Sequence, residues 1–237
     1  MKDWVHSTTE TPVSYVSCRN CSHVYQCPRA KIEFGYLLYP AHNVLIAENS
    51  INLVIRIKNW VQFRRLSSLV SDLSHDGKIV EIGAGDGVLL SIVRRRRQDV
   101  QLVGVDIAFS ASTRKRLSEL GIETITDAID SVDDVCLSPG STDLVIMNQS
   151  IEHLWEPQRV LKIIKRTLKD HGRVVVSTPD YDGYDRKVWQ HYWGGWYAPR
   201  HLNLFTRSEM IELFREAGLE LVQVRGLVAP VIWCHSL

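Results

Sequence analysis

Three glycines at alternate positions, Gly83, Gly85 and Gly87, close the run VEIGAGDG from Val80 to Gly87, between an apolar β-branched stretch and a segment of helical spacing. A residue without a Cβ lets the backbone turn tightly and lets a ligand approach the main chain. Such a loop between a strand and a helix restricts the chain to an α/β layout with a ligand at the end of its first strand. The spacing is G-x-G-x-G with Glu81 before it, whereas a dinucleotide pyrophosphate asks for G-x-G-x-x-G, and the sixth position here is Val88. An NAD-dependent oxidoreductase is therefore a rival reading with the wrong loop.

The rest of the chain repeats the same alternation. Strands are predicted at Lys78 to Ile82, Leu102 to Asp106, Ile122 to Thr126, Asp143 to Asn148, Arg173 to Ser177 and Glu220 to Arg225. Helical patterns lie near 87–97, 111–120, 157–169 and 207–217, and a further one over 45–73. Strands alternating with helices at this spacing predict a parallel sheet with helices on both faces. Residues 1–44 read as an irregular, cysteine-bearing lead-in, and 45–237 as the main domain.

Two acids extend the glycine loop into a nucleoside site. Asp106 ends LVGVD, where a carboxylate can accept from both hydroxyls of a ribose. Asp127 in ETITDA follows the third strand, where it can accept from an adenine amino group. Each has a plainer reading as a cap of the following turn or helix.

VEIGAGDG, VGVD, TDA and DLVIMNQSIEHLWEP, in this order, resemble the class I S-adenosylmethionine-dependent methyltransferases. The later PRHLNLFTRSEMIELFREAGLE resembles the small-molecule branch of that family. The resemblance implies a Rossmann-like, seven-stranded, mostly parallel sheet, with an antiparallel strand near Val228 to Trp233. It places S-adenosylmethionine on Glu81, Gly83, Gly85, Gly87, Asp106, Ile107, Asp127, Ala128, Asn148 and Gln149. A non-catalytic module that keeps the cofactor fold is the alternative from another class.

In an open α/β sheet the chemistry comes from loops that follow the strands. The loop after the fourth strand holds Glu152 and His153; His153 suits removal of a proton from an acceptor hydroxyl, or else it orients the next helix. The loop from Thr178 to Arg200 is dense in aromatic rings, among them Trp193, Trp196 and Tyr197, which read as a wall for a small-molecule acceptor or as packing over the sheet edge. His201, in PRHLN, is the second candidate base.

Lysine and arginine number 28 against 27 acids, so no overall field draws the chain to nucleic acid or anionic lipid. The run Arg94 to Arg97 reads as a solvated helix end. No stretch approaches the ~20 apolar residues of a membrane span, and the N-terminus carries no signal-peptide pattern. The odd count of five cysteines predicts reduced thiols in the cytoplasm. Cys18 and Cys21 form one CxxC pair, with His23 and Cys27 nearby; since tetrahedral zinc takes two such pairs, reduced thiols are expected ahead of a bound zinc. The sequence leaves any other metal and the oligomeric state open.

Overall fold

The structure, a computed structural model, describes residues 13–38, 63–64, 66–127, 130 and 137–226. The strands in chain order are β1 Ser14–Ser17, β2 Val24–Cys27, β3 Lys78–Ile82, β4 Gln101–Asp106, β5 Glu123–Thr126, β6 Thr142–Asn148, β7 Leu168–Ser177 and β8 Asn203–Leu204. The α-helices are α1 Val88–Arg94, α2 Ala111–Glu119, α3 Pro157–Thr167, α4 Tyr184–Trp189 and α5 Arg207–Glu216. The chain divides into two compact units. One comprises 1–40, 149–162 and 178–237, the other 41–148 and 163–177.

The second unit carries the parallel sheet, in the order β5-β4-β3-β6-β7. Its central strands are near-continuous apolar runs because both faces are covered: Ile79 and Val80 of β3 and Val145 of β6 are fully buried. Leu90 and Val93 of α1, Leu117 of α2, and Phe63, Leu66 and Val70 of a preceding helical segment pack into the same core. Each such side chain contributes ~1.5–3 kcal/mol by leaving water. Ser110 starts α2 by accepting the Thr113 amide at 3.0 Å.

The chain steps outward from β3 through β4 to β5, then returns to add β6 on the other side of β3. The topological switch therefore lies between β3 and β6, and ligands bind at the carboxyl ends of strands beside such a switch. Those ends are the glycine loop and Asn148.

The arginine run is a correction at two of its four positions. Arg94 is 9% exposed and donates to the carbonyls of Arg97, Gln98 and Gly121. Arg97 reaches the carbonyls of Val70, Leu73 and Ser74 and pairs with Asp99 at 2.8 Å, and Arg96 lies over the Phe63 ring. Arg94 and Arg97 thus tie the helix end to the chain around it, while Arg95 and Arg96 are exposed as expected.

The other unit contains an antiparallel sheet, β1-β2-β8, with Ser17 opposite Val24 and Val24 opposite Leu204. The lead-in described as irregular thus forms a hairpin, whose third strand lies some 180 residues later. Arg29 donates to the carbonyls of Trp155 and Leu202 and to Asn203 Oδ1, and Trp155 returns its indole N–H to the Ala30 carbonyl. Thr206 and Glu209 close a reciprocal capping box on α5.

Among the described residues the parallel sheet has five strands of the seven expected. Glu220 to Arg225 form no strand, and Val222 is 86% exposed. Their expected neighbour, Val228 to Trp233, lies outside the described residues, as do Ala128 and most of the predicted helix over 45–73. Among the described residues no helix is long and apolar enough to cross a membrane.

Candidate functional site

At the end of β3 the glycine loop adopts the conformation its composition requires. Gly83, Gly85 and Gly87 have φ of 74°, 53° and 62°, a left-handed region costly to other residues. Gly83 and Gly85 are exposed, and a Cβ on Gly85 would point into open space; a Cβ on Gly87 would meet Leu117 at 2.6 Å. The first two positions thus leave the main chain open, and the third is closed by packing against α2. Arg116 of α2 reinforces the loop by donating to the Asp86 carbonyl.

Two carboxyls converge behind this loop. Glu81 is 4% exposed, and one of its oxygens, Oε2, has no hydrogen-bond partner. Burial, and then the charge of Asp106, pushes its pKa up to about 8. Asp106 accepts the Gly85 amide at 2.7 Å and the Ala108 amide at 3.1 Å, so both oxygens brace the loop and the turn after β4. Burial still raises its pKa against those amides. The turn-capping reading is realised, and each oxygen keeps a second lone pair for a ligand hydroxyl. Ile107 follows half-buried; Asp127 is exposed beyond β5, with its amide on the Asp106 carbonyl at 3.0 Å. At the end of β6, Asn148 Oδ1 accepts from the Ser177 hydroxyl at 2.8 Å.

The unit holding β8 contributes a separate cluster. Gln149 has φ 54°, and the chain then forms a 3-10 turn over Ile151–His153. His153 Nδ1 lies 3.0 Å from the Arg200 carbonyl and His201 Nδ1 lies 2.7 Å from the Gly195 carbonyl. A carbonyl only accepts, so each ring donates from Nδ1, and the Gln149 backbone is a further hydrogen-bond partner of His153. Burial lowers the His153 pKa to about 4 and that of His201 well below its ordinary value, and the two rings lie 4.8 Å apart. His201 is 6% exposed, whereas His153 is half-buried and so the more accessible of the pair. Glu152, 1% exposed, accepts the Thr178 hydroxyl at 2.9 Å and holds its other oxygen 3.8 Å from His201 Nε2. Burial pushes the Glu152 pKa up to about 8, so it is largely protonated at neutral pH. One ligand atom from each of Glu152, His153 and His201 falls within 4.8 Å of the others, a spacing that could also hold a metal ion.

The aromatic loop divides. Trp193 is 1% exposed, donates to Asp185 at 2.9 Å and meets Tyr181 and Trp196 edge-on. Trp196 and Tyr197 are half-buried, and Tyr197 is edge-on to both histidines. Residues that sequence reasoning did not single out also belong here. Arg200 is 1% exposed and lies over the Tyr197 ring; Tyr15 of β1 reaches the carbonyls of Trp196 and His201. An arginine beside the candidate base in PRH was the available signal for the first. Nothing local signalled the second.

The CxxC pair sits on the β1–β2 turn, where the backbone amides of Cys21 and Asn20 lower the Cys18 pKa. Cys27 pairs with Ser14 at the opposite end of the hairpin, and both His23 nitrogens are engaged, by Glu209 and Asn203. Among the described residues these thiols join no group of three metal-ligating side chains, and Cys18, Cys21 and Cys27 form no disulfide.

A family profile described as a methyltransferase domain matches residues 59–224. The chain is 28% identical over 169 residues to a ubiquinone biosynthesis O-methyltransferase of Cupriavidus pinatubonensis, covering 68% of this chain and 67% of that one. It spans about two thirds of the length of such curated relatives. The CurJ carbon methyltransferase shares the fold with a TM-score of 0.57 at 17% identity, over 83% of this chain and 58% of that one. A phosphoethanolamine N-methyltransferase of Haemonchus contortus, solved with S-adenosylhomocysteine, does so with a TM-score of 0.53 at 17% identity, over 67% and 37%.

Proposed function

Since the chain belongs to the class I S-adenosylmethionine-dependent methyltransferases, we propose that it methylates a hydroxyl oxygen of a small, ring-bearing molecule, with His153 as general base. A domain at 45–237 carries the reaction, and the lead-in of 1–44 supplies β1 and β2. The cofactor, S-adenosylmethionine, supplies an electrophilic methyl on a cationic sulfur with a thioether to leave. This chain fits it: Gly83 and Gly85 leave main chain exposed, Asp106 offers lone pairs for ribose hydroxyls, and the orphaned Glu81 oxygen is a counterpart for a cationic group. Gly87 shapes the loop, while Ile107, Asp127, Ala128, Asn148 and Gln149 are assigned to the nucleoside and methionine ends by their places after β4, β5 and β6.

The observation that carries the acceptor class is the neutral state of the His153 imidazole. With its ring held by the Arg200 carbonyl and its pKa lowered by burial to about 4, His153 is a neutral imidazole at neutral pH. Such a group takes the proton of a hydroxyl as its oxygen forms the new bond to carbon; a carbon acceptor would present no such proton on oxygen. His201, more deeply buried, is assigned to orient that ring and to act as base only in its absence. Trp196 and Tyr197 wall the acceptor ring and exclude water, and Trp193 supports them from below. A hydroxylated ring agrees with the relative's role in ubiquinone biosynthesis.

The test is transfer of labelled methyl to a panel of hydroxylated rings and sugars, with S-adenosylhomocysteine binding measured in parallel. His153→Gln should lower turnover ~10²–10⁴-fold while cofactor affinity stays within about twofold. In the wild type, the acid limb of the rate profile should fall near pH 4 rather than 6.5, because the base stays neutral to about 4. Wild-type turnover retained by His153→Gln ends the base assignment. Cofactor binding without turnover on any acceptor favours a non-catalytic module.

A further inference from the structure

We propose that Tyr15 is a positioning residue of the acceptor side, its phenol stapling the turn whose carbonyls orient both histidines. The Tyr15 hydroxyl lies 2.6 Å from the Trp196 carbonyl and 2.8 Å from the His201 carbonyl, so one O–H is shared between two acceptors at the ends of a six-residue turn. Each carbonyl it holds adjoins one that fixes an imidazole: Gly195 precedes Trp196 and binds His201 Nδ1, and Arg200 precedes His201 and binds His153 Nδ1. The turn between them passes through Tyr197 at φ 35°, a conformation a non-glycine residue adopts at a cost, so it relaxes unless something closes it. The Tyr15 ring also lies 5.2 Å from that of Trp196, and burial keeps its phenol protonated. The segment that delivers this hydroxyl is the N-terminal hairpin, anchored on β8 by the pairs Val24–Leu204 and Tyr25–Asn203.

The inference rests on His153 and His201 serving the acceptor chemistry, and the experiment separates the two claims. Tyr15→Phe removes one oxygen and leaves the ring against Trp196. Histidine ring resonances followed by NMR across pH report the two imidazoles without needing an acceptor. In the variant both should titrate higher than in the wild type, toward the ordinary imidazole range, as the turn opens and water reaches the rings. S-adenosylhomocysteine affinity should remain within about twofold, and turnover on a hydroxylated acceptor should fall about tenfold at an unchanged cofactor KM. Unchanged histidine titrations overturn the proposal. So does joint loss of cofactor binding and of the thermal transition, which would make Tyr15 a support of the whole chain. A wild-type protein that does not bind S-adenosylhomocysteine tells against the methyltransferase reading and leaves the titration comparison intact.

Discussion

Two buried carboxyls, one buried imidazole and one half-buried imidazole give the protein a stability profile that a surface-charged chain would lack. Glu152 binds its proton up to about pH 8 when folded but only to about 4.5 when unfolded, so the folded state holds the extra proton between those values. Stability from this group is fully present below pH 4.5 and is lost as pH rises through 8. Glu81 acts in the same direction. The histidines act oppositely: His153 charges at about 4 when folded and 6.5 when unfolded, so stability rises with pH across that window. Above 6.5 only the carboxyls contribute, and the melting temperature should fall from pH 6.5 to 8. Glu152→Gln, which keeps the oxygen that accepts from Thr178, should flatten this slope; a slope equal to the wild type's would show that Glu152 is ionised in the fold. The carboxylates of the cofactor motif and the histidines were readable as residues because their chemistry is local. Their protonation was not, because it comes from neighbours far away in the chain.

Among the elements, the glycine loop separates two functions that the sequence shows as one motif. Gly87→Ala forces a Cβ against Leu117, 2.6 Å away, and strains φ as well, a combined cost of ~1–3 kcal/mol. Gly85→Ala pays only the backbone strain, since its Cβ meets nothing within 4 Å. Melting curves and calorimetric titration on the same pair should therefore cross: the first variant loses mainly stability, the second mainly S-adenosylhomocysteine affinity. If both lose affinity alike, Gly87 also lies against the ligand. The strands from β3 to β7 were predictable because a buried parallel strand is an apolar run with its own punctuation. ELVQVR at Glu220 to Arg225 alternates as well as any of them, yet forms no strand. Alternation prepares a segment for pairing but does not supply a partner. The hairpin β1–β2 was missed for the complementary reason: β8 spans two residues, too short for any periodicity to show.

At the scale of the molecule, the parallel unit is assembled largely from neighbours in sequence, while the unit around β8 draws together three separated stretches of chain. Contacts between distant residues form late, because the intervening chain must first be ordered. In a refolding experiment with pulsed hydrogen exchange, amides of β3 and β4 should gain protection before that of Gln26, which bonds to the Leu202 carbonyl at 2.9 Å. Simultaneous protection would mean that the hairpin closes on β8 during the first collapse. The same separation sets a schedule in the cell. Ribosomes deliver ~5–20 residues per second, so the edge of β2 emerges roughly 10–35 s before the strand that will cover it has been made. For that interval the nascent chain carries an uncovered strand edge and an accessible dithiol, a window in which a chaperone, an oxidant or a second nascent chain could reach them first.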